Sequence, residues 1–372
     1  MYLTYVILIS VAICLFAMPI AKRLAIVDYP DGDRKGHPVP TPMVGGIAIM
    51  VPLVLWCMAR IAESGGVVNK LLVATALCGG ATAVVGFIDD QRSVSPVARL
   101  LLLALFAGAA LFIDHGLIGD HIVGVSWGSV AVSRWLFAGL VALALIGFPS
   151  AVNMADGVNG VVVALFFVWS MCLAFAAPGT IAAIAHVIAA GAAVTLLFNL
   201  RGRLFLGDCG AFAIAFVLGL LAVAAHNEGK VPVETVVVWF LIPVADCLRL
   251  MVVRVIDGHS PLRPDVNHFH HRLVRLFGPD LSRLVYVGTV ALTSLLATTE
   301  PRTAPVCAVV EAVIYAGLLY ADHMGLRLHV AHQSGERKIA AKKVVAKPAT
   351  VVLDAKKPLS DPQGRETNRT LQ

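Results

Sequence analysis

The sequence predicts an all-α, polytopic membrane protein of about eleven transmembrane helices, and three observations carry that reading. Hydrophobic residues make up 58% of the 372 positions and charged residues only 14%, with a mean hydropathy of +0.84, which is far too apolar for a soluble globular chain. The apolar residues are gathered into runs of spanning length, since roughly 17 to 25 of them in a helix cross a hydrocarbon core about 30 Å thick. The residue-by-residue alternation of an outer-membrane barrel is absent.

In chain order the runs fall at about 2–20, 44–61, 71–88, 97–113, 130–148, 159–177, 180–198, 210–226, 233–252, 284–299 and 304–321. The first lacks a basic leader and a small-residue cleavage site, so it reads as a span and not as a signal peptide. Basic residues gather at the odd-numbered exits: Lys22, Arg23, Arg34 and Lys35, then Arg92 and Arg99, then Arg201 and Arg203, then Arg254, Arg263, Arg272, Arg275 and Arg283. By the positive-inside rule these exits are cytoplasmic, the N-terminus is outside and the C-terminus inside. The net charge of +6 then reflects orientation, not nucleic-acid binding. The even-numbered exits are short, mixed in charge and poor in motifs. Cys14, Cys57, Cys78, Cys172, Cys247 and Cys307 lie in or beside apolar runs without a CxxC, as small buried hydrophobes do. Residues 1–331 form the membrane domain. From about His332 the chain turns basic and loses its apolar runs, so 332–372 reads as a disordered cytoplasmic tail that can rest on anionic lipid head groups.

Five loops on the basic side are chemically dense. The first reads DYPDGDRKGHPVPTPMVGG. Its prolines forbid a continuous helix, Gly45 and Gly46 let the second span begin against something close, and Arg34, Lys35 and His37 become donors suited to phosphate oxygens. The third span ends in Asp89 and Asp90, two carboxylates at a helix terminus that repels anions. That pair calls for a cation, a cationic side chain or a transferable proton. The stretch NMADGVNG, between the fifth and sixth spans, places the amides of Asn153 and Asn159 and the carboxylate of Asp156 on a turn hinged by Gly157 and Gly160. Oxygen donors of this kind suit a hard ion such as Mg²⁺, although Asx-rich turns also cap helices. Asp208, in RGRLFLGDCGA, is either an N-cap or a metal ligand on a glycine turn. Asp246 and Arg249, at i,i+3 spacing, are placed to pair on one helix face. The following loop carries His268, His270, His271 and Arg272. HxHH is not a usual zinc spacing such as HxxxH and no cysteine accompanies it, so this cluster reads as a site for phosphates or a sugar ahead of zinc or incidental polarity.

Laid out in order, these motifs resemble the polyprenyl-phosphate N-acetylhexosamine-1-phosphate transferases, with DxPxxRKxH and a downstream GG, DD, NMxDGxNG, GDxG and SPxxxDxxHxHH. The HxHH form after SPLRPD is most similar to the branch that loads GlcNAc-1-phosphate onto undecaprenyl phosphate for O-antigen, teichoic acid or related glycans. The phospho-MurNAc-pentapeptide branch is less similar: Ser93 stands where its DDxxK lysine would be, and HFHH replaces its HHH. The resemblance implies a ten- or eleven-helix enzyme of the bacterial inner membrane with cytoplasmic catalytic loops. Undecaprenyl phosphate would approach from the bilayer and attack the β-phosphorus of UDP-GlcNAc or a related UDP-sugar, releasing UMP. It also implies Mg²⁺, with Mn²⁺ as a second candidate, on Asp208 and Asn153. Asp89 would remove or orient a proton on the lipid phosphate, and Asp90 would help to position it or the metal shell. Asp208 counts with both as catalytic. Arg34, Lys35, His37, Asp156, Asn159, Asp246, His268, His270, His271 and Arg272 would contact substrate. Membrane lipids and, as an open state, a second copy of the chain are the other expected partners. A secondary transporter is the rival class. It predicts polar groups at mid-membrane in repeated halves, whereas here the carboxylates sit at span ends on one side.

Overall fold

The structure, a computed structural model, describes residues 2–30, 39–66, 68–262 and 267–345, with side chains through residue 325. Helices α1 (Tyr2–Leu15) and α2 (Ala17–Leu24) are bent by 73° across a short break. Two short strands, β1 (Val27–Asp28) and β2 (Thr41–Pro42), pair antiparallel before α3 (Gly45–Ala62). Helix α4 (Lys70–Ala74) continues through a π turn, Thr75–Gly79, into α5 (Gly80–Gln91). Ser95 caps α6 (Pro96–Ile113) by accepting from the Ala98 N–H at 3.2 Å. A hairpin of β3 (His121–Gly124) and β4 (Gly128–Ala131) follows, then α7 (Arg134–Ala155), α8 (Val161–Ala176), α9 (Thr180–Asn199), α10 (Gly207–Asn227), α11 (Val233–Ile256), α12 (Phe269–Thr299) and α13 (Ala304–Val345).

Two compact units result, Met1–His323 and Met324–Gln372. Of the second, the described part is the helical backbone up to Val345, and the rest lies outside the described residues. The tail expected from 332 therefore falls partly on this helix and partly beyond the described chain.

Among the described residues nine helices are long and apolar enough to cross a membrane. With the bent pair Tyr2–Leu24 and the shorter Val161–Ala176 they account for every apolar run of the sequence. The molecule is thus an all-α, multi-pass membrane protein. Helix α10 is its axis: 89% of its apolar window is buried, against 22% for α6 and 17% for the last span. Small residues explain the position, since Gly210, Ala211, Ala213, Ala215, Ala222 and Ala225 let α3, α5, α7, α8 and α9 approach closely. All seven cysteines are buried and free, as small hydrophobes.

Three elements depart from the expected layout. The loop after α6 folds into a hairpin. Helix α7 runs on past Pro149 to Ala155, so Asn153 and Met154 lie on its last turn and not in a loop. Helix α12 begins at Phe269, well before the expected 284, because HHRLVRLF is itself amphipathic; the break falls instead at Gly278 (φ 74°) and Pro279.

Candidate active site

The described parts of the dense loops meet at one end of the bundle, and the contacts can be followed from one to the next. Gly45 and Gly46 donate their N–H groups to the carbonyls of Phe205 and Leu206 at 2.9 and 2.8 Å. A side chain at Gly46 would run into the backbone of Gly210. The close partner expected for this glycine pair is therefore the turn that carries Asp208.

That turn is fastened from a second direction by Asp90, at the end of α5. Its carboxylate accepts from the N–H groups of Asp208 and Cys209, at 2.8 and 3.0 Å, capping the N-terminus of α10 from another helix. Gly207 makes this possible with φ +75°, and a Cβ there would lie 2.7 Å from Asp90 Oδ2. Gly86, one turn earlier on α5, leaves room for the carbonyl of Asp208. Asp90 thus holds backbone, and Asp208 is left with its own carboxylate turned outward.

Asp208 Oδ1 accepts from Asn153 Nδ2 at 2.8 Å, and its Oδ2 lies 3.8 Å from Arg99 Nη1. Arg99 reaches back to Asp89 Oδ2 at 2.6 Å, while Asp89 Oδ1 accepts the Val94 N–H at 2.8 Å. The Asp89 side chain is only 6% exposed, but that of Asp208 is 34% exposed. One guanidinium therefore joins the two carboxylates, and only one of them keeps an open face. Arg99 was read from sequence merely as a topological charge. The missed signal is a lone basic residue in the first turn of an apolar helix, just after a Ser-Pro start.

The NMADGVNG turn lies against the histidines. His270 Nε2 is buried, has no hydrogen-bond partner among the described residues, and packs directly on Gly157, where any Cβ would collide with it. Gly160 has φ +89° and donates its N–H to Asn199 Oδ1 at 2.6 Å, while Asn199 Nδ2 holds the Leu204 carbonyl at 2.9 Å. Asn199 thereby ties this turn to the Asp208 turn. Asp156 lies in the turn itself, outside the spans, where burial and the nearby charge of Asp208 raise its pKa from 3.8 to about 7. Asn159 contributes its carbonyl, which accepts from Arg283 Nη1 at 3.4 Å.

Asp246 anchors the histidine segment. Its Oδ2 accepts from the Phe269 N–H and meets His268 Nδ1, both at 3.0 Å. Its Oδ1 takes Arg249 Nη2 at 2.7 Å and the Tyr315 hydroxyl at 3.0 Å. The expected Asp246–Arg249 pair is present, within a larger network. His268 and His270 stack with centroids 5.7 Å apart, and the His271 ring lies 4.1 Å from that of His270. Arg272 donates to Asp322 at 3.0 Å, and Arg275 donates to the same carboxylate through two nitrogens. Tyr315 and Asp322 escaped the sequence reading because they lie about fifty residues or more downstream, on α13. Arg34, Lys35 and His37 lie outside the described residues.

The donor set next to Asp208 fits a hard divalent cation. It consists of a partly open carboxylate and an amide that presents its own oxygen once turned over, with Asp156 near enough to feel the Asp208 charge. Among the described residues no group of three or more His, Cys, Asp and Glu side chains forms a metal cage. Magnesium in general keeps several waters and substrate phosphate oxygens alongside one or two protein carboxylates.

Residues 71–226 match the model of glycosyl transferase family 4. The chain is 28% identical over 290 residues to an undecaprenyl-phosphate α-N-acetylglucosaminyl 1-phosphate transferase of Yersinia pestis, covering 73% of this chain and 76% of that protein. It is 25% identical over 279 residues to a probable undecaprenyl-phosphate N-acetylglucosaminyl 1-phosphate transferase of Bacillus subtilis, covering 72% and 76%. It is also 27% identical over 297 residues to a decaprenyl-phosphate N-acetylglucosaminephosphotransferase of Mycolicibacterium smegmatis, covering 69% and 70%. In its helical bundle and its ordered motifs, as in these matches, the chain is similar to the polyprenyl-phosphate N-acetylglucosamine-1-phosphate transferases.

Proposed function

We propose that this chain transfers GlcNAc-1-phosphate from UDP-GlcNAc to undecaprenyl phosphate, releasing UMP and leaving a polyprenyl-diphosphate-linked sugar that starts a cell-envelope glycan. One observation carries the reading. The carboxylate of Asp208 is open on one side, bonded to Asn153, and set on a turn fixed by Asp90 where the described motif loops meet. The names of the relatives in Yersinia pestis and Bacillus subtilis support the same transferred group and acceptor. In this reading the motif end faces the cytoplasm of a bacterial inner membrane, as the basic exits imply.

The chemistry is chiefly a problem of charge, because an anionic phosphate must approach a diphosphate. An oxygen of the lipid phosphate attacks the β-phosphorus. The bond from that phosphorus to the bridging oxygen breaks, and UMP leaves with the oxygen. A phosphate monoester loses its second proton near a pKa of about 6, so at neutral pH the acceptor needs orientation more than it needs a base. Asp89 serves this by fixing Arg99, whose guanidinium meets the incoming phosphate. Asp208 and Asn153 would hold Mg²⁺, or Mn²⁺, which when bound neutralises charge on the diphosphate. His270 Nε2, unpartnered against Gly157, offers a contact to a phosphate or sugar oxygen. His268 and Arg272, held by Asp246 and Asp322, shape the wall beside it.

The test uses the purified chain with undecaprenyl phosphate, Mg²⁺ and a panel of UDP-N-acetylhexosamines, scored for UMP. UDP-GlcNAc should give the fastest release. A faster rate with another hexosamine would reassign the donor, and no UMP from any sugar would sink the transferase reading.

A further inference from the structure

Three sulfur atoms meet where α7 and α11 run side by side next to the site. Cys247 Sγ lies 3.5 Å from Met154 Sδ and 3.9 Å from Met251 Sδ. Cys247 and Met251 are four residues apart on α11 and so share one face, and Met154 arrives from the last turn of α7. The thiol is buried, whereas both methionines are half-buried, so the group is reached past the thioethers.

We propose that Cys247, Met154 and Met251 form a binding site for a soft monovalent cation, Cu(I) or Ag(I). Thiolate and thioether sulfurs select such ions over hard ones, which separates this site from the oxygen donors at Asp208 and Asn153. The geometry is close to ready. Three sulfurs around an ion at about 2.3 Å stand about 4 Å apart in a trigonal plane, and the two spacings from the Cys247 thiol, 3.5 and 3.9 Å, lie near that value. Binding forms one metal–thiolate and two metal–thioether bonds, releases the thiol proton to solvent and moves no electron. Two separate elements would thereby be tied together, because Met154 follows Asn153 and Cys247 follows Asp246. Any inhibition that results rests on the transferase reading; the binding does not.

Cu(I) titrated into the purified full chain, in competition with a chromogenic Cu(I) chelator, tests the site. The wild type should retain one equivalent, and C247S should lose it. M154L and M251L, which conserve volume and hence packing, should each weaken binding by at least about tenfold. Excess Mg²⁺ should not compete, and Ag(I) should displace the bound copper. Retention of the equivalent in C247S would assign it to another of the seven cysteines and overturn the proposal. Wild-type affinity in both methionine variants would do the same, by leaving the thiol as sole ligand.

Discussion

Both ends of the bundle use the same device, a carboxylate that accepts two successive backbone N–H groups from another element. At the motif end Asp90 takes those of Asp208 and Cys209. At the opposite end Glu234, 8% exposed, takes those of Val125 and Ser126 at 3.0 and 3.1 Å and clamps the tip of the β3–β4 hairpin. His226 holds the same hairpin through Val123, at 3.4 Å. The difference lies in what stands next to the device. Beside Glu234 the contacts close on themselves, while beside Asp90 a second carboxylate is held open. A cavity of about 540 Å³ does lie at the opposite end, lined by Asn69, Lys70, Asp114, Thr180, Asn227 and Glu228 among others. Two of its amides are tied to neighbouring elements, Asn69 Nδ2 to the Thr180 hydroxyl at the start of α9 and Asn227 Nδ2 to the Gly116 carbonyl, although Asn227 Oδ1 has no partner among the described residues. Space alone therefore does not mark the site; a carboxylate fixed in place and left partly unpaired does.

The largest effect should come from removing that open charge. Asp208→Asn keeps the shape and the backbone N–H that Asp90 holds, but lowers the charge available to a cation. UMP release should fall by about two to three orders of magnitude, with thermal stability in detergent unchanged or improved. A loss of activity accompanied by unfolding would instead make Asp208 a structural residue like Glu234.

The opposite end should respond the other way round. Glu234→Ala strips the acceptor from two hairpin N–H groups, which should cost about 1.5 kcal/mol or more of local stability. Amide exchange at Val125 and Ser126 should accelerate while UMP release with undecaprenyl phosphate stays within about twofold, the scale of ordinary surface substitutions. A drop in transfer comparable to that of Asp208→Asn would break the contrast between the two ends.

Sequence reading reached the two ends unequally. The spans were legible because a bilayer requires long apolar runs, and the carboxylates at Asp89, Asp90 and Asp208 stood out because charge beside such runs is costly. Roles were harder to assign. Asp90 and Asp208 look alike in sequence, yet one caps a helix and the other faces outward, a distinction set by the positive φ at Gly207. Arg99 was hidden because a single arginine at a span end is explained equally well by topology. The Glu234 clamp and the hairpin were not legible at all, since they depend on pairing across more than a hundred residues. In sequence Gly157 reads as a hinge of a tight turn, and its packing against His270 is visible only in three dimensions.

The smallest effect concerns Asp156, which sits in the turn between α7 and α8 and feels Asp208. Its carboxyl is raised from 3.8 to about 7 by burial first and by the Asp208 charge second. An unfolded chain gives up this proton at the lower value, so between about pH 4 and about pH 7 the folded chain binds more protons than the unfolded one, and stability falls as pH rises. The full penalty is present above about pH 7 and absent below about pH 4. Asp156→Asn carries no such charge. With a chelator present, the variant should therefore melt higher than the wild type at about pH 8, and the gap should narrow at about pH 5 and close only below about pH 4. Solvent at this half-buried turn keeps the difference small. Combining it with Asp208→Asn removes one of the two causes, so the gap at high pH should shrink. A gap that stayed the same in the double variant would mean that Asp156 does not feel the open carboxylate, and that the motif end is electrostatically as closed as the hairpin end.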